Sequence, residues 1–449
     1  MFLSTLSRRR LIQLMAASAA LPLAGTVSFA QQAAVRAVVL SDLHSAYDRL
    51  PQVLAAVAAE IAGGANLILI NGDIFEFGNV AAARSAGRAD WQFLEKLAAL
   101  APVVVNIGNH EPDFDNDLAQ FVSQANALGI SVISNILDSR TGAEYAPSHA
   151  MLEIGGAQVV VVGIATDALN TYPKASREHL ILPAPVEWAK ANVVDLLAMG
   201  TVGIVLSHAG VVADRDILPL LPAGTLLVGG HDHLVLTHAE GDVGYVHTGS
   251  WSSLMTLASL AAGTAPVLQQ VVIDRDGAGD AELAATIAAV LDEHLTDEEK
   301  ASIGSAPEAM SLGETGRYVA QVLAKAAGAD IGFVGHTSFG TGFPAAPISL
   351  YEYNSILRFE GKIVTATVDA ATLRDILARV NQDGDIALDA RTGDFLYAAP
   401  EDLADKDSYV IACNDWSGIN QKAYFGREDL VFTEVPGLML KPTVRDTLQ

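Results

Sequence analysis

Val103-Val104-Val105-Asn106-Ile107-Gly108-Asn109-His110-Glu111 is a short apolar run that stops at a glycine and then presents an amide, an imidazole and a carboxylate in succession. A brief β-branched run bounded by turn residues reads as a buried strand, here Val103–Ile107. The polar residues then fall at its carboxyl end, where α/β sheets place their ligand sites. Four other runs repeat the arrangement. Val35–Leu40 is followed by Asp42-Leu43-His44, Leu67–Ile70 by Asn71-Gly72-Asp73, Gly203–Leu206 by Ser207-His208, and Thr225–Val228 by Gly229-Gly230-His231-Asp232-His233. Further strands are expected at Val159–Ile164 and Tyr245–Thr248, with a closing strand at Gln269–Asp276. Helical patterns such as Leu50–Ala62 and Trp91–Leu100 lie between several of them. Strands alternating with helices place the chain in the α/β class.

The 449 residues suffice for two or three domains, and with 51% hydrophobic and 18% charged residues there is ample material for packed cores. The net charge of −25 excludes the broad basic face that nucleic-acid binding requires. A small anionic substrate stays compatible with it, because bound cations dominate the local field of a site. Cys413 is the sole cysteine, so a disulfide within the chain is impossible and cysteine says nothing of the compartment.

The compartment is read from the start of the chain. Ser7-Arg8-Arg9-Arg10-Leu11-Ile12 precedes an apolar stretch from Leu11 to Val27, and Ser28-Phe29-Ala30 offers small residues at a cleavage site. Residues 1–30 read as a twin-arginine signal peptide, which predicts contact with the twin-arginine export machinery and a periplasmic or secreted product. The competing reading is an N-terminal membrane anchor, for which the apolar run is short against the ~20 residues a span needs. No stable membrane insertion is expected after processing. A catalytic domain is expected over 31–275. A connector with a helix (Glu282–Leu295) follows over 276–300, with loop character from Thr296 to Pro307. A second, smaller α/β domain occupies 301–449, its pattern starting near Ser311.

Five of the eleven histidines sit in the strand-end loops. Taken singly, an Asp after a strand is commonly a helix cap and a His a hydrogen-bonded structural group. Packing does not explain five such motifs in this order. Chemistry does. Uncatalysed phosphate monoester hydrolysis is among the slowest of reactions, and enzymes accelerate it by up to ~10²¹-fold. Two cations ~3.5–4 Å apart hold both the attacking and leaving oxygens and lower the pKa of water from about 15.7 toward 7. Close cations need an anionic bridge, for which Asp73 is the natural choice. Asp42 and His44, like His231 and His233, are two residues apart, so both side chains of each pair can point the same way at a strand end. The glycines before them permit close backbone approach. Mixed N and O ligation suits Mn, Zn, Fe or Co.

The five blocks D-x-H, G-D, G-N-H-E, H and G-H-x-H, over residues 42–233, resemble the calcineurin-like metallophosphoesterase superfamily. That resemblance implies two divalent metal ions: one held by Asp42, His44, Asp73 and His233, the other by Asp73, Asn109 through its amide oxygen, His208 and His231. It also implies an N-terminal four-layer α/β/β/α sandwich, two sheets face to face with helices outside. His110 is similar to the family histidine that points at the substrate and stabilises the transition state or protonates the leaving group. Asp113 is its partner by spacing, with Asp115 as the alternative if Pro112 redirects the loop.

The C-terminal stretch resembles the 5'-nucleotidase C-terminal domain, through Gly313-Glu314-Thr315-Gly316, Ser355-Ile356-Leu357-Arg358-Phe359-Glu360-Gly361 and Tyr409-Val410-Ile411-Ala412-Cys413-Asn414-Asp415. Where that family carries N-G-G-x-x-R, this chain has Gly335-His336-Thr337-Ser338-Phe339-Gly340, without the phosphate-gripping arginine. Arg317 and Arg358 are possible substitutes. Phe359 matches one base-stacking aromatic, unless it is ordinary core, and Tyr424 or Phe425 is placed to supply the other. Substrate contacts are thus expected from Asn109, His110, Phe359 and Tyr424. The resemblance implies a phosphomonoesterase of the 5'-nucleotidase type acting on a nucleotide or related small phosphate ester. A cyclic-nucleotide phosphodiesterase or a thiosulfohydrolase-like enzyme of the same plan is the rival among hydrolases. A metal-dependent binding protein that has lost catalysis is the rival from another class.

Overall fold

Alternating burial along the first strands sets the architecture. In β1 (Val35–Leu40), Val35, Ala37 and Val39 enter one core while Val38 and Leu40 enter another. In β2 (Leu67–Asn71), Leu67 and Leu69 join the first core and Ile68 and Ile70 the second. Strands covered on both faces are what a continuous β-branched run encodes. The computed structural model describes residues 35–448, and the expected signal segment 1–30 lies outside the described residues.

β3 (Val103–Asn106) and β4 (Ser131–Ile133) extend the same sheet in parallel. The chain then builds β5 (His149–Ile154), β6 (Ala157–Ala165), β7 (Val202–His208), β8 (Leu226–Gly229), β9 (Val235–Glu240), β10 (Val243–Thr248), β11 (Leu254–Ala261) and β12 (Thr264–Val272). Two six-stranded sheets result, in the orders β12-β11-β1-β2-β3-β4 and β9-β10-β8-β7-β6-β5. The first has four parallel strands, β1 to β4, with the antiparallel hairpin β11–β12 beside β1; the second has four parallel strands at its centre and an antiparallel strand at each edge, β5 and β9. Their inner faces share a core of Val39, Leu69, Val104, Val161, Leu206 and Val228. Helices α1 (Leu50–Ala62), α2 (Arg88–Leu100) and α3 (Leu118–Ala127) cover the first sheet, while α4 (Pro185–Leu197) covers the second. This is the four-layer α/β/β/α sandwich.

The closing strand differs from its expected limits. β12 starts at Thr264 and ends at Val272, rather than running from Gln269 to Asp276, because it is the return arm of a hairpin with β11 whose turn sets the register (Ala261 opposite Thr264). Gly263 stands at φ +63° in that turn, where a β-carbon is strained. The helix expected at Glu282–Leu295 is α5 (Ala281–His294). Asp280 caps it by accepting the Leu283 N–H at 2.8 Å. Its Leu283, Ile287 and Val290 enter the outer core of the first sheet. The stretch expected to be loop from Thr296 holds a helical turn, Asp297–Lys300, and a short strand, Ser302–Gly304, paired with Ile348–Ser349.

The C-terminal part is a five-stranded mixed sheet. It is built from β13 (Ile331–Gly335), β14 (Lys362–Asp369), β15 (Leu396–Ala399), β16 (Ser408–Asn414) and β17 (Thr433–Met439), in the order β15-β13-β16-β14-β17. Helix α6 (Leu312–Ala327) begins at a capping box between Ser311 and Glu314 and packs Val319 and Leu323 with Val334 and Tyr397. Val205 and Leu227 on the outer face of the second sheet belong to the same core.

Candidate active site

The turns after β1, β2 and β8 adopt a backbone that side-chain-bearing residues rarely hold. Asp42, His44, Asp73, His231 and His233 all have φ between +49° and +76°. A left-handed conformation costs a non-glycine residue about 1–3 kcal/mol and clusters at functional sites. The turns are also crowded: a β-carbon on Gly72 would stand 2.8 Å from His208 Nδ1, and one on Gly230 would stand 2.9 Å from Ser41 Oγ. Glu111 clamps the loops after β2 and β3, accepting from Ile74 N at 2.9 Å and Gly108 N at 2.6 Å.

The result is convergence. Asp73 Oδ2 lies 3.1 Å from His208 Nε2 and 3.8 Å from His44 Nε2, and its Oδ1 accepts the His110 N–H at 2.9 Å. Asp42 Oδ1 lies 3.8 Å from His233 Nε2 and 3.9 Å from His208 Nε2. His44 Nε2 and His233 Nε2 are 2.9 Å apart. His231 Nδ1 is 2.8 Å from Asn109 Oδ1, while the amide nitrogen of Asn109 donates to Thr171 O and so turns its oxygen inward. Three groupings follow in which each residue offers one donor atom within 4.8 Å of the others: Asp42 with His44 and His233; Asp73 with His208 and His231; and His44 with Asp73 and His110. All seven residues expected as ligands meet at one point.

The donor set fits a divalent cation. His44 Nδ1 faces Glu76 at 3.3 Å and His208 Nδ1 faces Asn71 O at 2.7 Å, so each ring presents Nε2 to the centre. The buried His208 Nε2 makes no hydrogen bond. Burial, then the Arg358 charge, pushes His44 down to about 4, and burial, then His208, pushes His231 down to about 3. Burial drives His233 well below its ordinary range. These three imidazoles are therefore neutral, the form that ligates metals. Burial opposes ionisation of Asp73 but His208 and His110 outweigh it, holding the carboxylate well below its ordinary value.

His110 stands at the rim with its Nδ1 2.8 Å from Asp113 Oδ2, which also accepts from Phe77 N at 2.7 Å. Asp115 is exposed, so spacing chose the contact rightly. Burial disfavours the charged ring, yet Asp113 and Asp73 together raise His110 to about 10.

A cavity of about 330 Å³ opens over this centre, lined among others by Asn109, His110, Arg358, Phe359, Trp416 and Tyr424. Phe359 is 43% exposed and carries the Arg358 guanidinium 4.8 Å from its ring, so it is not core. Tyr424 reaches the cavity, with its hydroxyl bound to Asp394 at 2.6 Å. Phe425 is core, packed against Phe333, and Arg317 pairs with Asp383 at 2.7 Å away from this cavity. Neither belongs to the site. Trp416, 44% exposed, is the aromatic that the sequence did not single out. Nor did Glu76 or Trp251 stand out. Arg358 is buried, ion-paired to Glu76, 3.4 Å from His44 Nδ1 and over Trp251, which itself stacks on His44. The C-terminal part thus reaches the candidate metal ligands through Arg358 at His44 and through His336, whose Nε2 is 3.2 Å from the His233 carbonyl.

A calcineurin-like phosphoesterase family profile matches residues 35–235. A protein named 5NUC from Lutzomyia longipalpis is 24% identical over 147 residues, which are 32% of this chain and 25% of that relative. That match spans about a quarter of the relative's length. Among solved structures, a 5'-nucleotidase precursor from Thermus thermophilus aligns over 92% of this chain and 96% of its own, at 18% identity and TM-score 0.63. The sulfate thiohydrolase SoxB of Thermus thermophilus covers 92% and 94% at 14% identity and TM-score 0.65. A 5'-nucleotidase from Candida albicans covers 93% and 98% at 11% identity and TM-score 0.60. The described chain therefore has the two-domain fold of these proteins, and its residues 35–235 match the calcineurin-like phosphoesterase family.

Proposed function

We propose that this protein is an exported, two-metal phosphomonoesterase of the 5'-nucleotidase type, acting on a nucleotide or related small phosphate ester. The observation that carries the reading is Asp73 standing between two groups of imidazoles, with a histidine–aspartate pair on the rim. Asp42, His44, Asp73 and His233 would hold one divalent ion, and Asp73, Asn109, His208 and His231 the other. Bound there, Mn, Zn, Fe or Co would supply Lewis acidity to the phosphoryl oxygens and acidify a water.

The chain's own groups do the rest. Asp113 fixes the His110 ring through Nδ1 and keeps it charged, leaving Nε2 to donate its proton to the leaving oxygen. The Asn109 amide, anchored on Thr171, is pre-set to face the phosphoryl group. Phe359 and Trp416 supply exposed aromatic faces for the organic part of the ester, and Arg358 is the cavity's guanidinium.

The test is phosphate release by mature protein with Mn or Co on AMP, a UDP-sugar, cyclic nucleotides and an aryl phosphate. Silence on the whole panel would sink the phosphoesterase reading. One observation favours a second reading: the fold is as similar to a sulfate thiohydrolase as to a nucleotidase, at TM-scores of 0.65 and 0.63. Such an enzyme would release sulfate from a thiosulfate ester and no phosphate from the panel. Export rests on the Arg8-Arg9 pair, and Lys at both positions should retain the protein in the cytoplasm. Undiminished secretion of that variant would remove the export claim.

A further inference from the structure

A second cavity, about 600 Å³, shares His233 in its wall with the first. Its lining is cationic in a chain whose net charge is −25. Arg49, Arg275 and Arg391 all face it. Arg49 and Arg275 share one carboxylate, Asp48, at 3.5 and 3.1 Å. Arg391 is 5% exposed and forms no ion pair among the described residues. Its Nη atoms reach only the carbonyls of Gln382 and Gly384, at 3.2 and 3.3 Å. A buried guanidinium is ordinarily paired, because desolvating an isolated charge is costly. Asp383, the acid in the lining, is already committed to Arg317 through two hydrogen bonds.

The same wall includes Leu312 and Gly313, the first residues of the sixteen-residue helix α6. The capping box binds the Glu314 N–H to Ser311, while the Leu312 and Gly313 N–H groups form part of the positive end of the helix dipole. Apolar walls from Leu234, Met310 and Phe343 complete the enclosure.

We propose that this cavity is a binding site for a small oxyanion, a phosphate or a carboxylate, held by Arg391 with Arg49 and Arg275. The site is independent of the reading given to the metal centre. Through His233, and through His336 Nε2 on the His233 carbonyl at 3.2 Å, its wall is continuous with the metal shell.

Calorimetric titration of the metal-loaded full chain with inorganic phosphate and, separately, succinate tests this and tells the two anion sources apart. At least one of them should bind wild type at this site. Phosphate would then show two events, one of them at the metal centre; succinate would show one. In Arg391→Gln the event at this site should weaken by at least about tenfold, with turnover in the absence of added anion unchanged within about twofold. Arg275→Gln alters only a partly exposed rim charge and should weaken the same event, which keeps the test decisive if Arg391→Gln misfolds. Equal affinity and stoichiometry in wild type and Arg275→Gln, or no such event for either anion in wild type, overturns the proposal.

Discussion

Replacing Arg358 by Met should destabilise the protein far more than a surface arginine would, and removing Glu76 at the same time should restore most of the loss. Both side chains are almost fully buried, at 3% and 4% exposure, and they form the ion pair that links the C-terminal part to the metal centre. Breaking one side of a buried pair leaves an uncompensated charge, at a cost of about 3–5 kcal/mol. Glu76 would keep the Gly78 N–H and His44 Nδ1, which places the loss toward the lower end. The guanidinium also leaves the faces of Trp251 and Phe359, at 5.0 and 4.8 Å, adding about 1 kcal/mol. For a cooperative unit of ~200 residues each kcal/mol moves the melting midpoint by about 2–4 °C, so a loss of about 4–6 kcal/mol in Arg358→Met should lower it by about 8–24 °C. Glu76→Gln with Arg358→Met removes both charges, so the double variant should melt above the single Arg358→Met variant. Calorimetry of the four proteins gives the coupling energy. A coupling below about 1 kcal/mol would show that Arg358 and Glu76 act separately and that the two parts are not joined here.

Asp73→Asn should lose metal and activity together, as measured by metal analysis and turnover. His110→Ala should keep its metal while kcat falls about 10²–10⁴-fold, and normal turnover would remove its role as acid. Trp416→Ala should raise KM for a nucleoside monophosphate by about 5- to 150-fold, the worth of ~1–3 kcal/mol of base stacking, and leave KM for glycerol phosphate unchanged. Asp90 gives a pH prediction away from the site. Burial raises its carboxyl from 3.8 to about 7, with the Tyr47 hydroxyl donating to it at 2.7 Å. The folded state therefore binds the proton more tightly than the unfolded one. This group favours folding below pH ~4, and that contribution is lost between pH ~4 and ~7, up to about 4 kcal/mol in all. Asp90→Asn should gain stability relative to wild type across that window, and a melting difference that does not change with pH would refute the assignment.

The loops that converge on Asp73 were legible in the sequence because strand ends in a parallel sheet are local features. Each of Asp42, Asp73, Asn109, His208 and His231 follows its own apolar run, and convergence needs only that the runs be neighbours in sheets, which β1-β2-β3 and β7-β8 are. Asp113 was legible for the same reason, lying three residues from His110 on one loop. What stayed hidden was set by distance along the chain. Trp251 stacks on His44 from a turn whose own φ is +57°, and nothing near position 251 announces a partner two hundred residues away. Phe425 and Tyr424 are adjacent in sequence, yet one enters the core with Phe333 and the other reaches the cavity, a choice made by the sheet they pack on. Arg358 and Arg317 were equal as candidate cations, but Arg317 pairs with Asp383 within the C-terminal part, whereas Arg358 reaches Glu76 on the loop after β2. Local pattern therefore specified which loops converge, whereas the side chains behind them come from far along the chain, Trp251 within the N-terminal part and Arg358 from the C-terminal part. A substitution at either position should accordingly change metal affinity while leaving all seven ligating side chains in place.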